Sequence, residues 1–464
     1  MKLQTNGVFV YLYQLFHKMN RTLKILIVIA LLSCTSTKNT TDNTSEPKKI
    51  PNPEKVEDLT QIEDLNVVLE NKTYQKSIKT ILVHRKGWEL SNSAMQLNSN
   101  EVLQFSFDEL GSNLGDYYYT VIHCTHDWKK SDIIESNYLE GFFQDYISTY
   151  KFSFNTVQPY VHYEVEIPNK NLKITQSGNY IFKVYKNNNQ NEVVFTQRFK
   201  VYENIIATKA KVNRPTLLVE RNYKQEIDFE LDITKLNVLN LQEDLHVVIQ
   251  QNNRWDNEIT NLTPLYIKGN ELIYDYNNKE NMFDGGNEFR FLDIKTLRYR
   301  GQKVKQIVTE KTSTDVYMLT ELKRTYKNYN FYDDLNGNFI IRNQNGVNHV
   351  IESDYATVHF ALSFDEKVDG EVYVFGRISN YQFKEEFKMS YNSRTKQYTL
   401  PVLLKQGYYD YHYVVKQKNK PAKIPFMEGD HFETNNDYGI TTYYKDPTCD
   451  CDRIVGYHTF KSKK

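Results

Sequence analysis

Apolar and polar residues alternate with a period of two along most of the chain after residue 65, and this alternation constrains the fold more than any other feature. Val161–Ile167 and Ile227–Ile233 show it most clearly. A period of two places successive side chains on opposite faces of a strand. No helical period of ten or more residues follows residue 34. We therefore predict an all-β protein in which each strand turns one face to a core.

Turn-forming residues divide the strands into three sets. Ser177–Asn179 separates two strands of the first set, and Gly269-Asn270 lies between two apolar runs of the second set, where it predicts a hairpin. Short strands at this spacing are typical of β-sandwiches. We predict three such domains in tandem, over residues 65–203, 204–325 and 326–464.

The N-terminal segment carries signals for export and lipid attachment. Arg21 and Lys24 precede the apolar run Ile25–Leu32, and Cys34 follows shortly after it. A cationic start before a short apolar run is typical of a secretory signal, and the run is too short to span a bilayer. The Leu-Leu-Ser-Cys ending resembles a lipobox; the alternative is an ordinary signal with an incidental cysteine. We predict that residues 1–33 are an upstream extension and lipoprotein signal peptide, and that Cys34 is the lipid attachment site.

The segment after Cys34 is rich in Thr, Asn, Lys, Glu and Pro and has few apolar residues. Such a segment cannot bury enough apolar surface to fold, so we predict that residues 34–64 form a disordered tether with an end-to-end distance of about 30 Å. Thr35 is not the aspartate that commonly retains lipoproteins at the inner membrane, and no acidic cluster follows Cys34. We therefore expect a lipid-anchored protein on the periplasmic side of the outer membrane.

Charge and motif content exclude several classes of function. The chain has 58 basic and 58 acidic residues, so its net charge favours neither nucleic acid nor an anionic membrane surface. His123–Trp128 holds the densest group of reactive side chains, but a strand over Tyr117–Cys124 places His123 and Cys124 on opposite faces. Asp333–Asn338 lacks the ligand spacing of a calcium loop. We predict a non-enzymatic protein with no catalytic set, cofactor, metal site or small-molecule substrate.

Cys449 and Cys451 are the candidate pair for thiol chemistry. Two cysteines one residue apart bond to each other only in a small strained ring, and they can also ligate a soft metal. No Cys-x-x-Cys motif or histidine pair nearby completes a zinc set. The sequence leaves open a possible redox or disulfide pair and two exposed thiols.

Tyrosine-rich strands are the candidates for contact with a partner. Tyr117–Tyr119 and Tyr408–Tyr413 carry aromatic rings on both faces of predicted strands. Inward rings fill a core, whereas outward rings offer contact area of the kind that interfaces favour. The pattern does not identify the outward rings that bind, so the partner-binding residues stay unknown at this stage.

Four stretches resemble the plug protein family of the type IX secretion system. They are DYYYTVIHCTHDWKKSDIIESNYLEGF (Asp116–Phe142), QPYVHYEVEIPN (Gln158–Asn169), GGNEFRFLDIKTLR (Gly285–Arg298) and GDHFETNNDYGITTYYKDPTCDCDRIVGYHTF (Gly429–Phe460). The resemblance implies a periplasmic protein that binds the outer-membrane translocon barrel of this system. It also implies that the protein plugs the periplasmic opening of the barrel while no client is in transit.

The third predicted domain also resembles an early-set, immunoglobulin-like module of the glycogen-binding kind. Val372–Gly376, Asn380-Tyr381 and Gly407–Tyr413 carry this resemblance. Sugar-binding modules of this kind usually show tryptophans on an open face, and here Tyr381 stands where one is expected. Shared architecture is the preferred interpretation, because fold alone does not transfer function. The alternative is a glycan-binding outer-membrane lipoprotein that uses this domain.

Overall fold

The structure is a computed structural model that describes residues 67–422 and 424–463. The predicted signal peptide, Cys34 and the tether lie outside the described residues. Within them, helices are limited to single turns, and none is long and apolar enough to cross a membrane. The helical turns are α1 (Leu241–Asp244), α2 (His349–Glu352) and α3 (Pro425–Glu428), with 3₁₀ turns at Glu135–Asn137, Leu218–Glu220, Arg377–Ser379 and Glu385–Phe387.

Strands between residues 67 and 203 form an N-terminal sandwich. They are β1 (Lys72–Thr73), β2 (Ile78–Arg85), β3 (Ala94–Gln96), β4 (Leu103–Leu110), β5 (Tyr117–Cys124), β6 (Leu139–Gly141), β7 (Gln144–Tyr146), β8 (Thr149–Phe152), β9 (Tyr160–Ile167), β10 (Leu172–Ile174), β11 (Gly178–Lys186) and β12 (Val193–Tyr202). One sheet has the order β1–β12–β11–β5–β7, with β3 parallel to β12, and the other has the order β2–β4–β9–β8. The pair β6–β10 lies apart from both sheets.

The core of this sandwich lies between its two sheets. Phe105 of β4 stacks on Phe182 of β11, with ring centroids 4.1 Å apart. Tyr163 and Ile167 of β9 are buried in the same core, as their alternating positions predict. Both sheets therefore turn their apolar faces inward, and the all-β prediction is confirmed.

The middle part of the chain contributes β13 (Ala207–Asn213), β14 (Lys224–Asp232), β15 (Leu245–Gln251), β16 (Tyr266–Lys268), β17 (Glu271–Tyr274) and β18 (Met282–Asp284). One sheet has the order β13–β14–β17–β16, and β18 also pairs with β14. The hairpin predicted at Gly269-Asn270 is confirmed, because Lys268 of β16 pairs with Glu271 of β17. The remaining strand, β15, belongs to a second sheet that the C-terminal strands complete.

The C-terminal part contributes β19 (Arg290–Asp293), β20 (Val304–Thr309), β21 (Thr314–Met318), β22 (Glu321–Leu322), β23 (Phe339–Ile341), β24 (Tyr355–Ser363), β25 (Glu371–Phe375), β26 (Ser390–Asn392), β27 (Gln397–Lys405), β28 (Gly407–Lys416), β29 (Asp437–Asp446) and β30 (Cys451–Lys461). One sheet has the order β20–β21–β24–β27–β26, with β22 on β24. The strands β19, β23 and β25 all pair with β28.

Among the described residues, four strand pairings cross the predicted domain boundary at residue 325, and two of them join β21 and β22 to β24. β15 pairs with β29 in the sheet β15–β29–β30, and β19 pairs with β28. Side chains of β14 and β17, from one sheet, pack in the same hydrophobic core as side chains of β15 and β29, from the other sheet. We therefore propose that residues 204–284 and 437–461 form the middle sandwich and that residues 290–428 form the third.

A joint of cations and tryptophans connects the N-terminal and middle sandwiches. The Arg198 guanidinium lies 4.3 Å from the centroid of Trp128 and 5.6 Å from that of Trp255. Lys200 Nζ donates to Gln250 Oε1 at 2.9 Å and to Thr441 Oγ1 at 3.1 Å. Burial lowers the pKa of Lys200 to about 8. These contacts fix the outer face of the first sheet against β15 and β29.

Candidate interaction surface

A run of exposed aromatic side chains follows one margin of the N-terminal sandwich. Large apolar side chains are common on protein surfaces singly, but a cluster marks a contact site. We call this cluster, within residues 142–154, the aromatic edge. Its rings are 40% to 61% exposed, and they belong to Phe142, Phe143, Tyr146, Tyr150, Phe152 and Phe154.

The aromatic edge coincides with the last strand of each sheet in this sandwich. β7 ends the sheet β1–β12–β11–β5–β7, and β8 ends the sheet β2–β4–β9–β8. The two strands are joined by Ile147-Ser148, so both sheet margins lie next to each other in the chain. In the described part of the chain, neither strand has a second strand partner on its outer side.

The main chain of β8 also has groups that point outward. The Ser153 N–H donates to the Tyr160 carbonyl at 2.9 Å, and β8 pairs with β9 in the same antiparallel register. Because hydrogen-bonded and non-hydrogen-bonded pairs alternate in an antiparallel ladder, the N–H and C=O groups of Tyr150 and Phe152 point away from β9. An extended segment of a partner can pair with these groups and cover the two rings at once.

Hydrogen bonds and burial hold the aromatic edge in place. Ile147 is buried and its N–H donates to the Tyr117 carbonyl at 2.8 Å. Thr120 Oγ1 donates to the Phe143 carbonyl at 2.7 Å, and the Phe154 N–H donates to the Ile351 carbonyl at 2.8 Å. A surface that is ordered before binding loses less conformational entropy when a partner covers it.

Comparisons with known proteins match this chain to a secretion component. Residues 78–203 match the family model described as the type 9 secretion system plug protein 1st domain. A crystal structure of a hypothetical protein from Parabacteroides merdae ATCC 43184, solved at 2.30 Å, shares 32% sequence identity. It superposes with a TM-score of 0.81 over 85% of this chain and 100% of its own. None of the curated proteins compared matches this chain.

The chain belongs to the type IX secretion system plug protein family. The resemblance read from the four sequence stretches is thereby confirmed. The matched region of this plug-family protein includes the whole aromatic edge. The plug-family match and the all-β fold suggest a non-catalytic protein.

Two of the stretches that resemble the plug family contact each other. The His126 N–H donates to Asp452 Oδ2 at 2.7 Å, and His126 Nδ1 lies 2.8 Å from the same oxygen. The His126 ring stacks on that of His246, with centroids 3.7 Å apart. These residues join the N-terminal sandwich to the hairpin β29–β30 of the plug-family fold.

His123 and Cys124, from the densest group of reactive side chains in the sequence, do not form a catalytic arrangement. Both are buried, and they lie on opposite faces of β5 as predicted. The His123 ring is hydrogen-bonded to Ser131, and burial lowers its pKa to about 4. Burial raises the pKa of the Cys124 thiol to about 12, so the thiolate that a nucleophile needs is disfavoured.

Cys449 and Cys451 are joined in a disulfide at the turn between β29 and β30. The Gln176 side chain donates to both sulfur atoms at 3.3 Å. Cys451 is buried, whereas Cys449 is partly exposed. A redox role for this pair stays a prediction.

The tyrosine-rich strands mainly fill cores. Tyr117 and Tyr119 are buried, as are Tyr409, Tyr411 and Tyr413. These strands are central in their sheets, so both of their edges are paired with neighbouring strands. The exposed rings of the aromatic edge instead lie on or beside the edge strands β7 and β8, which the sequence did not single out.

Tyr381, which stands where sugar-binding modules of this kind usually show a tryptophan, is 4% exposed. Its ring packs on Phe375 at a centroid distance of 5.7 Å, and the Arg254 guanidinium lies 5.3 Å from it. The ring therefore does not lie on an open face, so its position gives no support to the alternative of glycan binding through Tyr381. The tyrosine is part of the contact between the middle and third sandwiches.

No group of His, Cys, Asp and Glu residues that could hold a metal ion occurs among the described residues. In Asp333–Asn338, carboxylates bind main-chain groups of the turn itself. Asp334 accepts from the Asn336 N–H at 2.9 Å, and Asp410 accepts from Leu335 and Gly337. These acidic residues therefore stabilise the turn before β23.

Proposed function

We propose that this plug-family protein is a non-enzymatic periplasmic lipoprotein that binds the type IX secretion translocon and closes its periplasmic opening. Membership in the plug family supports the role in secretion. Among the described residues, His123 and Cys124 form no catalytic arrangement, and this supports a role that depends on binding. The partner is the outer-membrane translocon barrel, and the protein is held beside it by lipid at Cys34.

The aromatic edge is the observation that carries the proposed docking site. A stable closure needs an interface on the order of 1,000 Å² or more, with aromatic anchors at its centre. The edge supplies six exposed rings and the outward main-chain groups of Tyr150 and Phe152. We propose that the rim of the barrel contributes an extended segment that pairs along β8.

Replacement of two central rings tests this docking site. In the full-length lipoprotein, Tyr150→Ser with Phe152→Ser should reduce recovery of the translocon in a pull-down by at least about tenfold, as expected when hot-spot rings are lost. Permeability of the outer membrane to vancomycin should rise in the same cells. Because both rings are 40% or more exposed, the thermal midpoint should change by less than about 3 °C.

Tyr326→Ser is the matched control, since Tyr326 is 90% exposed and lies outside the aromatic edge. This variant should recover the translocon like the native chain. Equal recovery by the double variant would show that another surface docks. Failure of the native lipoprotein to recover any translocon, with unchanged permeability on its deletion, would overturn the proposed function itself.

The lipid anchor has its own test. Cys34→Ala should move the protein from the membrane fraction to the soluble periplasmic fraction and remove the acyl group from its N-terminal peptide in mass spectrometry. The Cys124→Ala variant should keep both the membrane location and the acyl group. A native protein without an acyl group at Cys34 would contradict the proposed anchoring.

A further inference from the structure

A second site lies away from the aromatic edge, in a cleft of about 620 Å³ between the N-terminal and third sandwiches. One wall is formed by the start of the N-terminal sandwich, over residues 73–81. The opposite wall is formed by residues 377–387 and by the end of β27. The cleft is therefore assembled from parts of the chain about 300 residues apart.

The charges that line this cleft do not balance. Five cationic side chains face two carboxylates, those of Glu385 and Glu386. Lys405 is offset by Asp108, whose Oδ2 lies 2.6 Å from its Nζ, and Lys79 lies 3.7 Å from Glu386. Glu385 is engaged by Lys388 at 3.3 Å, from outside the cleft lining. The remaining cations are Lys76, Arg377 and Lys384.

Arg377 is the most informative of these cations. Its side chain is only partly exposed, and it forms no ion pair with any residue that the structure describes. Burial lowers the pKa of Arg377, and only Tyr381 acts in the opposite direction. A guanidinium that is partly removed from water without a counter-ion loses hydration free energy, so binding of an anion beside it is favoured.

Lys384 reinforces this excess of positive charge. It is partly exposed, and burial lowers its pKa, while the Glu386 and Glu70 carboxylates raise it from beyond ion-pair distance. Lys76 is exposed at the mouth of the same cleft. A guanidinium and two ammonium groups that line one cavity suit an anion with several oxygens. Arg binds phosphate through paired N–H donors, and Lys acts as a point charge.

The rest of the cleft lining is largely apolar. Ile78, Phe387 and Tyr409 are buried side chains that contribute to the wall, and Phe339 lies beside them. Small-molecule sites typically combine apolar walls with a few polar groups that fix orientation. A ligand that fits this lining has an anionic group at Arg377 and an apolar part against the aromatic residues.

We propose that this cleft binds a phosphate group carried by a molecule with an apolar part, with Arg377 and Lys384 as the phosphate-binding residues. Two sources share this chemistry, a soluble phosphate ester and the headgroup of a phospholipid. The proposal is independent of translocon docking, because the cleft and the aromatic edge involve different residues.

Calorimetric titration of the full-length protein tests the proposal with two probes, inorganic phosphate and dihexanoyl phosphatidic acid below its micelle concentration. Arg377→Gln and Lys384→Gln should each weaken binding of the probe by at least about tenfold, the loss expected for a charge-assisted contact. Lys209→Gln, on the exposed margin of β13, is the matched control and should bind like the native chain. Binding of phosphate alone indicates a soluble ester, whereas stronger binding of the phosphatidic acid indicates a lipid headgroup.

Stability without ligand separates a binding role from a structural one. Since Arg377 has no anionic partner among the described residues, Arg377→Gln should leave the thermal midpoint of the ligand-free protein unchanged or raised. It should also abolish the stabilisation that the probe gives to the native chain. If neither probe binds at millimolar concentration, or if both variants bind like the native chain, the proposal is overturned. A lowered midpoint for ligand-free Arg377→Gln would likewise assign the residue a structural role.

Discussion

Lys405 Nζ donates to Asp108 Oδ2 at 2.6 Å across the contact between the N-terminal and third sandwiches, although the two residues are 297 positions apart. Both side chains are almost completely buried, at 2% and 0% exposure. Tyr355 donates to the same Asp108 oxygen at 2.7 Å, and His162 Nδ1 lies 2.7 Å from the other oxygen. Burial acts to raise the pKa of Asp108, but Lys405 and His162 outweigh it, so the pKa is lowered and the carboxylate is charged.

Removing one member of this pair should be strongly destabilising. Lys405→Met leaves a buried carboxylate without its cation, which typically costs about 3–5 kcal/mol of the free energy of unfolding. Urea denaturation at pH 7 measures this change. Glu433→Gln, in the exposed pair that Glu433 forms with Arg214 at 2.9 Å, should have little effect. A loss for Lys405→Met as small as that of the control would show that the pair does not hold the two sandwiches together.

Asp410 should make the protein less stable as the pH rises. Burial and the neighbouring Asp334 carboxylate raise the pKa of Asp410 from 3.8 to about 8. Between about pH 4 and pH 8, the folded chain therefore keeps a proton on Asp410 that the unfolded chain has already released. The contribution of protonated Asp410 to the free energy of unfolding is complete below about pH 4 and is lost as the pH rises through 8.

Denaturation of an amide variant at pH 5 and pH 8 tests this expectation. Asn resembles the protonated carboxyl group, so Asp410→Asn should reduce the fall in the free energy of unfolding between these pH values by at least about 1 kcal/mol. Glu140→Gln, at a side chain that is 66% exposed, should keep the native pH dependence. An unchanged dependence in Asp410→Asn would show that Asp410 is already ionised at pH 5.

Two glycines should respond differently to a methyl group. A Cβ at Gly285 would overlap the carbonyl oxygen of His431 and lie 2.7 Å from that of Tyr223. Since both neighbours are main-chain atoms, Gly285→Ala should cost about 2 kcal/mol or more. At Gly439 a Cβ meets nothing within 4 Å, so Gly439→Ala should be neutral or stabilise by up to about 1 kcal/mol. Thermal unfolding of both variants gives the comparison, and similar midpoints would contradict it.

Alkylation should distinguish the cysteines. In the native protein at pH 8, Cys124 should react with iodoacetamide roughly 10³-fold more slowly than a free thiol, because its pKa is raised to about 12 and its side chain is buried. Cys449 should react only after reduction of its disulfide with Cys451. Peptide mapping by mass spectrometry identifies the labelled site, and rapid labelling of native Cys124 would contradict its burial.

Local pattern was sufficient to predict most individual strands. The alternation of Val161–Ile167 and the turn at Gly269-Asn270 depend on neighbouring residues, and the structure has a strand at Tyr160–Ile167 and a hairpin at this turn. The pairing of β15 with β29 was beyond such reasoning, because nothing near Leu245 in the chain indicates a partner at Tyr444. Long-range pairing depends on which apolar faces of the folded chain cover each other. A local period in the sequence carries no information about those distant partners.

The aromatic edge, the proposed docking surface, was also missed from the sequence. Between residues 142 and 154 six of the residues are aromatic, compared with 14% of the whole chain, and this local excess was the available signal. Whether a ring is buried depends on the position of its strand in the sheet. Tyr119 on the central strand β5 is 2% exposed, whereas Phe152 on the edge strand β8 is 49% exposed.

The hairpin β29–β30 has a consequence for biogenesis. β15 at Leu245–Gln251 finds its pairing partner only after Asp437–Asp446 has been made. Until then the sheet β15–β29–β30 of the middle sandwich is incomplete, and the apolar side chains that pack against it stay exposed. A chain that has not yet been synthesised as far as residue 446 thus stays open in its centre, so the middle sandwich closes only after the rest of the chain that it encloses has folded.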